Sequence, residues 1–181
     1  VENSIKILDI GTGSGCIAIS LAKNLPKAEV YALDVSNEAL TMAKENAKGN
    51  NVDITFIEAS ILEESDWDLF FENTKFDVIV SNPPYVRELE KQEIQPNVLD
   101  NEPHLALFVE DNNPLIFYKA ITDFAVKKLK PNGKAGGTLY FEINQYLGEE
   151  TKQLLVDANF ENVELLKDLN GNDRMLKGVK I

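Results

Sequence analysis

Short apolar runs recur along this chain, and each is followed by a stretch whose apolar residues fall at helical spacing. The first run is Ile5 to Ile10 (IKILDI). It leads into the loop Gly11-Thr12-Gly13-Ser14-Gly15 and then a helix predicted over Cys16 to Asn24. Glu29 to Asp34, Asp53 to Glu58, Phe76 to Ser81 and Gly137 to Ile143 repeat the pattern. Helices are expected from Ser36 or Asn37 (with Ala39, Leu40, Ala43 and Ala47 on one face), over Ser65 to Phe71, over Pro114 to Leu129 (with Ile116, Phe117, Ile121 and Phe124 on one side) and over Glu149 to Asn159. Parallel strands need a helical crossover between them, so the alternation predicts a parallel sheet covered on both faces. The tail differs: Asn162 to Leu166 and Met175 to Ile181, around Asn170-Gly171-Asn172-Asp173, read as an antiparallel hairpin.

From Val86 to Asn113 the periodicity is poor, and Pro96, Pro103 and Pro114 punctuate it. That segment reads as a long loop with a helical turn, a form more often used for binding than for idle connection. The chain of 181 residues fits one domain, 1–181, with no repeat or splitting linker.

Glycines between a strand and a helix let a ligand approach the backbone, and the helix N-terminus offers free N–H groups. Gly11, Thr12, Gly13 and Gly15 occupy that position, and Asp34 ends the second strand, where a carboxylate can accept from ribose hydroxyls. A dinucleotide fingerprint would place its third glycine where this chain has Cys16, read as a small buried residue. Asp9, two residues before the first glycine, would repel a pyrophosphate and attract an ammonium. The predicted cofactor is therefore S-adenosylmethionine, with S-adenosylhomocysteine as product and no metal. The competing reading of Asp9 is a partner for the helix dipole, and that of Asp34 a strand-end turn acid. After the third strand, Ser60 is placed near the cofactor, with Glu58 or a backbone group reading the adenine. An α/β, Rossmann-like methyltransferase fold follows: seven mostly parallel strands with a C-terminal antiparallel hairpin.

The fourth strand stops at Ser81-Asn82-Pro83-Pro84-Tyr85 because proline has no N–H and fixes φ. An amide or exocyclic amine nitrogen is a poor nucleophile, its lone pair being delocalised. Two acceptors aimed at its N–H groups would orient it and stabilise the positive charge that grows as a methyl arrives. Asn82 can supply one acceptor and the Pro83 carbonyl the other. Pro84 stiffens Pro83, and Tyr85 can lie on the acceptor plane and exclude water. The competing reading is a strand-terminating proline turn with an Asn cap.

With 30 acidic against 18 basic residues the net charge is −12, which disfavours a long nucleic-acid duplex as partner. No apolar run is long enough to span a bilayer and no signal segment opens the chain, so no membrane partner is expected. A single cysteine excludes an internal disulfide and fits a reducing compartment, the cytoplasm. The chain begins at Val1 rather than Met, as a piece of a longer protein would.

The segments ILDIGTGSGCIAISLA, SNPPYV, NEPHLAL, LKPNG, YFEIN and DLNGNDRMLKG together resemble the release-factor glutamine methyltransferases. The resemblance implies methyl transfer from S-adenosylmethionine to the glutamine side-chain amide in the Gly-Gly-Gln motif of peptide chain release factors. It gives Asn82 and Pro83 the amide-binding role, Tyr85 the packing role, and Asp9 to Gly15 with Asp34 the cofactor role. It leaves Glu102 and Pro103 as loop-ordering residues, Arg174 as a salt-bridge anchor of the hairpin, and His104 as a surface residue. Family members usually carry an N-terminal helical domain, absent here; Lys134 to Gly137 lengthens a turn, and Val109 to Leu115 departs from the usual glycine-rich segment. The alternatives are an adenine amino-methyltransferase acting on nucleic acid, a glutamine methyltransferase acting on a ribosomal protein, and a cofactor-binding module without activity.

Overall fold

The computed structural model describes residues 4–93, 104–131 and 136–180. The alternation appears as read: β1 (Lys6–Ile10), α1 (Cys16–Asn24), β2 (Glu29–Asp34), α2 (Asn37–Asn50), β3 (Thr55–Glu58), α3 (Glu64–Phe71) and β4 (Val78–Ser81). Then follow β5 (Val86–Arg87), a 3-10 helix (Glu88–Glu93), α4 (His104–Leu107), β6 (Phe108–Val109), α5 (Ile116–Lys128), β7 (Thr138–Glu142), α6 (Gly148–Asp157), β8 (Phe160–Lys167) and β9 (Asp173–Lys180). Seven strands form one sheet in the order β3-β2-β1-β4-β7-β9-β8. Neighbours are parallel except around β9, which runs antiparallel to both β7 and β8. The last strand therefore threads between β7 and β8 and makes the hairpin part of the sheet. It is longer than the sequence indicated, because Phe160 and Glu161 pair with Lys180 and Val179, and Lys167 pairs with Asp173.

The chain winds outward from β1 to β3 and then returns to β4 on the other side of β1. Strand order reverses there, so a crevice opens at the carboxyl ends of β1 and β4. One face of the sheet, with Leu8, Ile10, Leu33, Ile79, Leu139, Phe141 and Leu176, packs on Trp67 and Phe71 of α3, Tyr118 and Phe124 of α5 and Leu155 of α6. Aromatic rings meet edge to face: Trp67 with Phe124 at 5.3 Å, and Tyr118 with Phe141 at 5.2 Å. Each such pair adds about 0.5–1.5 kcal/mol beyond its burial. On the opposite face, Ala18 of α1 packs on Val30 and Ala32 of β2.

Local chemistry sets the helix limits. Ser36 caps α2 by accepting from Ala39 N (3.1 Å), and Asn51 ends it at φ 56°. The seam of α5 is rotated from the expected one. Tyr118, Ile121, Thr122, Phe124, Ala125 and Lys128 are buried, while Ile116 and Phe117 are half-buried. Lys128 reaches inward because its ammonium meets Asp68 Oδ1 (2.8 Å) and the Phe71 carbonyl (2.9 Å). Among the described residues, no helix is long and apolar enough to cross a membrane.

The segment after the double proline holds more structure than a loop with a helical turn. Val86-Arg87 pairs in parallel with Phe108-Val109, and the 3-10 helix fills part of the interval. Two-residue strands carry too few side chains to show a period, which hid them in the sequence. Glu102, Pro103 and the first two residues of the Lys134 to Gly137 insertion lie outside the described residues, as does the side chain of His104.

Candidate active site

Register places the singled-out residues in one row. Ile10 pairs with Leu33 and with Ser81, Asp34 with Glu58, and Ser81 with Phe141. One step further along each strand, Gly11 stands level with Asp34, Asn82 and Glu142. The carboxyl ends of five adjacent strands thus present Glu58, Asp34, Gly11, Asn82 and Glu142 side by side. A Cβ on Gly11 would sit 4.0 Å from the Asn82 carbonyl oxygen, so the two loops lie close together.

The glycine loop is held from below. Gly11 N and Thr12 N both donate to the Leu33 carbonyl, at 2.8 and 3.1 Å, and Gly13 N donates to Asp34 Oδ2 at 2.8 Å. The other Asp34 oxygen accepts from Ser36 N at 2.9 Å. Asp34 therefore braces the loop and the entry to α2, and each of its oxygens keeps a second lone pair. Gly11, Gly13 and Gly15 all have positive φ, which glycine adopts without a Cβ clash. Gly15 has a second constraint, since a Cβ there would come within 3.1 Å of Ala43 and Ile19.

Asp9 is fully buried. Its Oδ2 accepts from Thr12 Oγ1 (2.7 Å) and from Ala18 N in the first turn of α1 (3.2 Å), while Oδ1 has no partner among the described residues. Burial raises its carboxyl to about 6; hydrogen bonds from Thr12 and Ala18 pull down and the Asp34 charge pushes up. Both readings of Asp9 thus have a foothold: one oxygen serves the helix end, and the other leaves charge uncompensated beneath the loop.

One expectation is corrected here. Cys16 is exposed rather than buried, because the first residue of α1 projects from the loop end instead of from the sheet-facing side. Ser60 lies past β3, where its hydroxyl accepts from Leu62 N (3.2 Å). Glu58 is exposed and accepts from Asn37 Nδ2 (2.6 Å).

At the end of β4, Ser81 is buried and its hydroxyl donates to the Ile10 carbonyl (2.7 Å), clamping β4 to β1 just below the crevice. Asn82 is exposed, and no hydrogen bond to another described residue holds its side chain. Pro83 is buried, and Pro84 and Tyr85 are half-buried. The Tyr85 hydroxyl donates to Glu142 Oε1 (2.9 Å) and accepts from Arg174 Nη1 (3.4 Å). Burial first, then the Glu142 charge, pushes this phenol up to about 12. The Tyr85 carbonyl accepts from Asn144 Nδ2 (2.9 Å), which also donates to buried Glu90 (2.8 Å). Glu90 in turn holds the Arg87 guanidinium (2.6 Å) and accepts from its backbone N–H (2.9 Å). Tyr85, Val86, Glu90, Asn144, Gln145, Tyr146 and Arg174 line a pocket of about 170 Å³. Glu142, Asn144 and Glu90 had no assigned role in the sequence. For Glu142 and Asn144, position at the end of the strand beside the proline turn is the signal that would have marked them, whereas Glu90 lies in the 3-10 helix and had none.

Residues 1–105 match the family model "Methyltransferase small domain", and the chain belongs to that family. A release factor glutamine methyltransferase of Flavobacterium psychrophilum is 63% identical over 174 residues, covering 96% of this chain and 58% of that protein. One of Bacteroides thetaiotaomicron is 47% identical, covering 94% and 59%. The chain thus spans about six-tenths of the length of the curated relatives it matches. Among solved structures, a methyltransferase from Pyrococcus furiosus superposes with a TM-score of 0.68 at 20% identity, covering 98% of this chain and 76% of that one. A T. thermophilus 16S rRNA methyltransferase in complex with AdoMet and guanosine gives 0.66 at 20% identity, covering 97% and 37%. At such identity these structures establish the fold alone, and it is the α/β methyltransferase fold.

Proposed function

We propose that the domain formed by residues 1–181 transfers a methyl group from S-adenosylmethionine to the side-chain amide of the glutamine in the Gly-Gly-Gln motif of peptide chain release factors. The observation that carries this reading is the exposed, uncommitted amide of Asn82 on a proline-stiffened corner against the glycine loop. The names of the relatives at 63% and 47% identity support the choice of substrate.

The residues present fit the cofactor. A cationic group above the glycine loop would feel Asp9, whose second oxygen has no partner among the described residues. Because Asp9 is covered, it acts through its field rather than by contact. Asp34, with lone pairs to spare, would accept from ribose hydroxyls. Gly11, Thr12, Gly13 and Gly15 would shape the bed, and Ser60 would border its far end. When bound, the cofactor supplies an electrophilic methyl on a sulfonium.

The chain's own part is to hold the acceptor. Asn82 Oδ1 and the Pro83 carbonyl accept from the two N–H groups of the substrate amide, which aims its nitrogen across the crevice. Methylation would place positive charge on that nitrogen, and the same two oxygens would stabilise it as it develops. The surplus proton then leaves to solvent. Tyr85, with Pro83 and Pro84 around it, covers the amide plane and excludes water.

The test is mass spectrometry of a release factor and a nucleic-acid pool, each incubated with the chain and labelled cofactor. A methyl group on the Gly-Gly-Gln glutamine is expected, and label on adenine would overturn the reading. Asn82→Ala should reduce turnover about 10²–10³-fold while leaving cofactor affinity within a few-fold. Equal loss of both in a folded variant would make Asn82 a cofactor ligand instead.

A further inference from the structure

We propose that Glu142 and Arg174 are positioning residues, which lock the ring of Tyr85 by gripping its hydroxyl from two strands of the sheet. This rests on the amide-clamp reading above. The hydroxyl donates to Glu142 Oε1 at the end of β7 and accepts from Arg174 Nη1 at the start of β9. Arg174 is itself steadied by Asp168 Oδ2 at 3.6 Å, across the hairpin turn. The opposite end of the same residue is tied as well, through its carbonyl to Asn144 Nδ2. A tyrosine in a surface corner can swing about two side-chain torsions. Anchoring both its carbonyl and its hydroxyl removes that freedom before any substrate arrives.

Polarity is matched on both sides of the hydroxyl. A phenol has one proton to give and lone pairs to receive, and it meets one carboxylate and one guanidinium. The phenol stays protonated far above neutral pH, so Tyr85 is a donor at this point and no base. The hairpin thereby acquires a task beyond completing the sheet, because it carries the Arg174 arm of the grip. Anchoring the hairpin alone would need only the Asp168 pair.

The kinetic test is a double-mutant cycle in this chain, using a release factor as methyl acceptor. Glu142→Ala and Tyr85→Phe should each lower kcat about 10-fold, the scale of one hydrogen bond to a charged partner, with cofactor affinity by calorimetry unchanged. The double variant should be no slower than either single one, and Glu142→Gln, which keeps an acceptor oxygen, should recover most of the rate. Fully additive losses would overturn the proposal.

A second readout needs no turnover. The ultraviolet titration of Tyr85 is isolated by subtracting that of Tyr85→Phe. Its midpoint should fall in Glu142→Gln, because a neighbouring negative charge is gone, and an unmoved midpoint would also overturn the proposal. If the unmutated chain methylates no glutamine, the substrate reading fails on its own, and the titration still decides whether the grip exists.

Discussion

At the scale of single residues, Asp9 has the most unusual environment of the site. Its carboxyl titrates near 6 in the folded chain against an ordinary value near 3.8, so the folded state binds this proton more tightly than the unfolded state. The stability associated with that proton is fully present below the unfolded value and is lost as pH rises through about 6. A cation bound above the loop reverses the preference by favouring the ionised form. Cofactor affinity should therefore fall as pH drops below about 6, and Asp9→Asn should flatten that dependence while keeping an acceptor for Thr12 and Ala18. Calorimetric affinities between about pH 5 and 7 check it, and a flat profile in the unmutated chain removes Asp9 from cation binding. Asn82 shows the contrary design, an exposed amide with nothing in the described chain to satisfy it.

At the scale of elements, the glycine loop works because α1 can begin where it does. Its N-cap is Gly15 at φ 86°, with no side-chain cap, and Asp9 of the preceding strand accepts from Ala18 N instead. A side chain at Gly15 would be strained by that φ and would press on Ala43 of α2 and Ile19 of α1 at 3.1 Å. Gly15→Ala should destabilise the domain by about 1–3 kcal/mol, read by chemical denaturation, and should weaken cofactor binding by shifting the loop. A change below a few tenths would show that the α1–α2 contact yields more readily than its spacing implies. In the hairpin, β9 contributes Leu176 to the core and Arg174 to the site, so one element serves stability and positioning together.

At the scale of the whole molecule, the seven-stranded sheet carries the larger of two apolar clusters. The larger cluster runs without interruption from Trp67 on α3 through Phe124 on α5 to Leu155 on α6 and Leu176 on β9. Such continuity predicts a single cooperative unfolding transition. Trp67 is the only tryptophan and is buried, with Nε1 donating to the Ile61 carbonyl (3.1 Å). Its fluorescence should lose its native signal at the same denaturant concentration as the helical circular dichroism. An earlier fluorescence transition would mean that α3 detaches as a separate unit. Against the net charge of −12, local pairs such as Lys128–Asp68 and Lys130–Asp77 (each 2.8 Å) match individual carboxylates with cations.

Sequence alone determined the strand–helix alternation, the glycine loop, Asp34 at the end of β2 and the proline corner after β4. Each of these follows from local rules: a period of apolar residues, a positive φ, or a ring that fixes φ and removes a donor. The two-residue strands β5 and β6 escaped because they are too short to carry a period. Tertiary structure alone decided that β9 enters the sheet between β7 and β8, which brings Arg174 to a tyrosine 89 residues away. It likewise decided that Glu142, Asn144 and Glu90 surround the proline corner, and that one Asp9 oxygen has no partner among the described residues. The physical reason is that strand order and register join residues distant along the chain. Which side chains meet at a sheet's carboxyl edge depends on that order, and no local period encodes it.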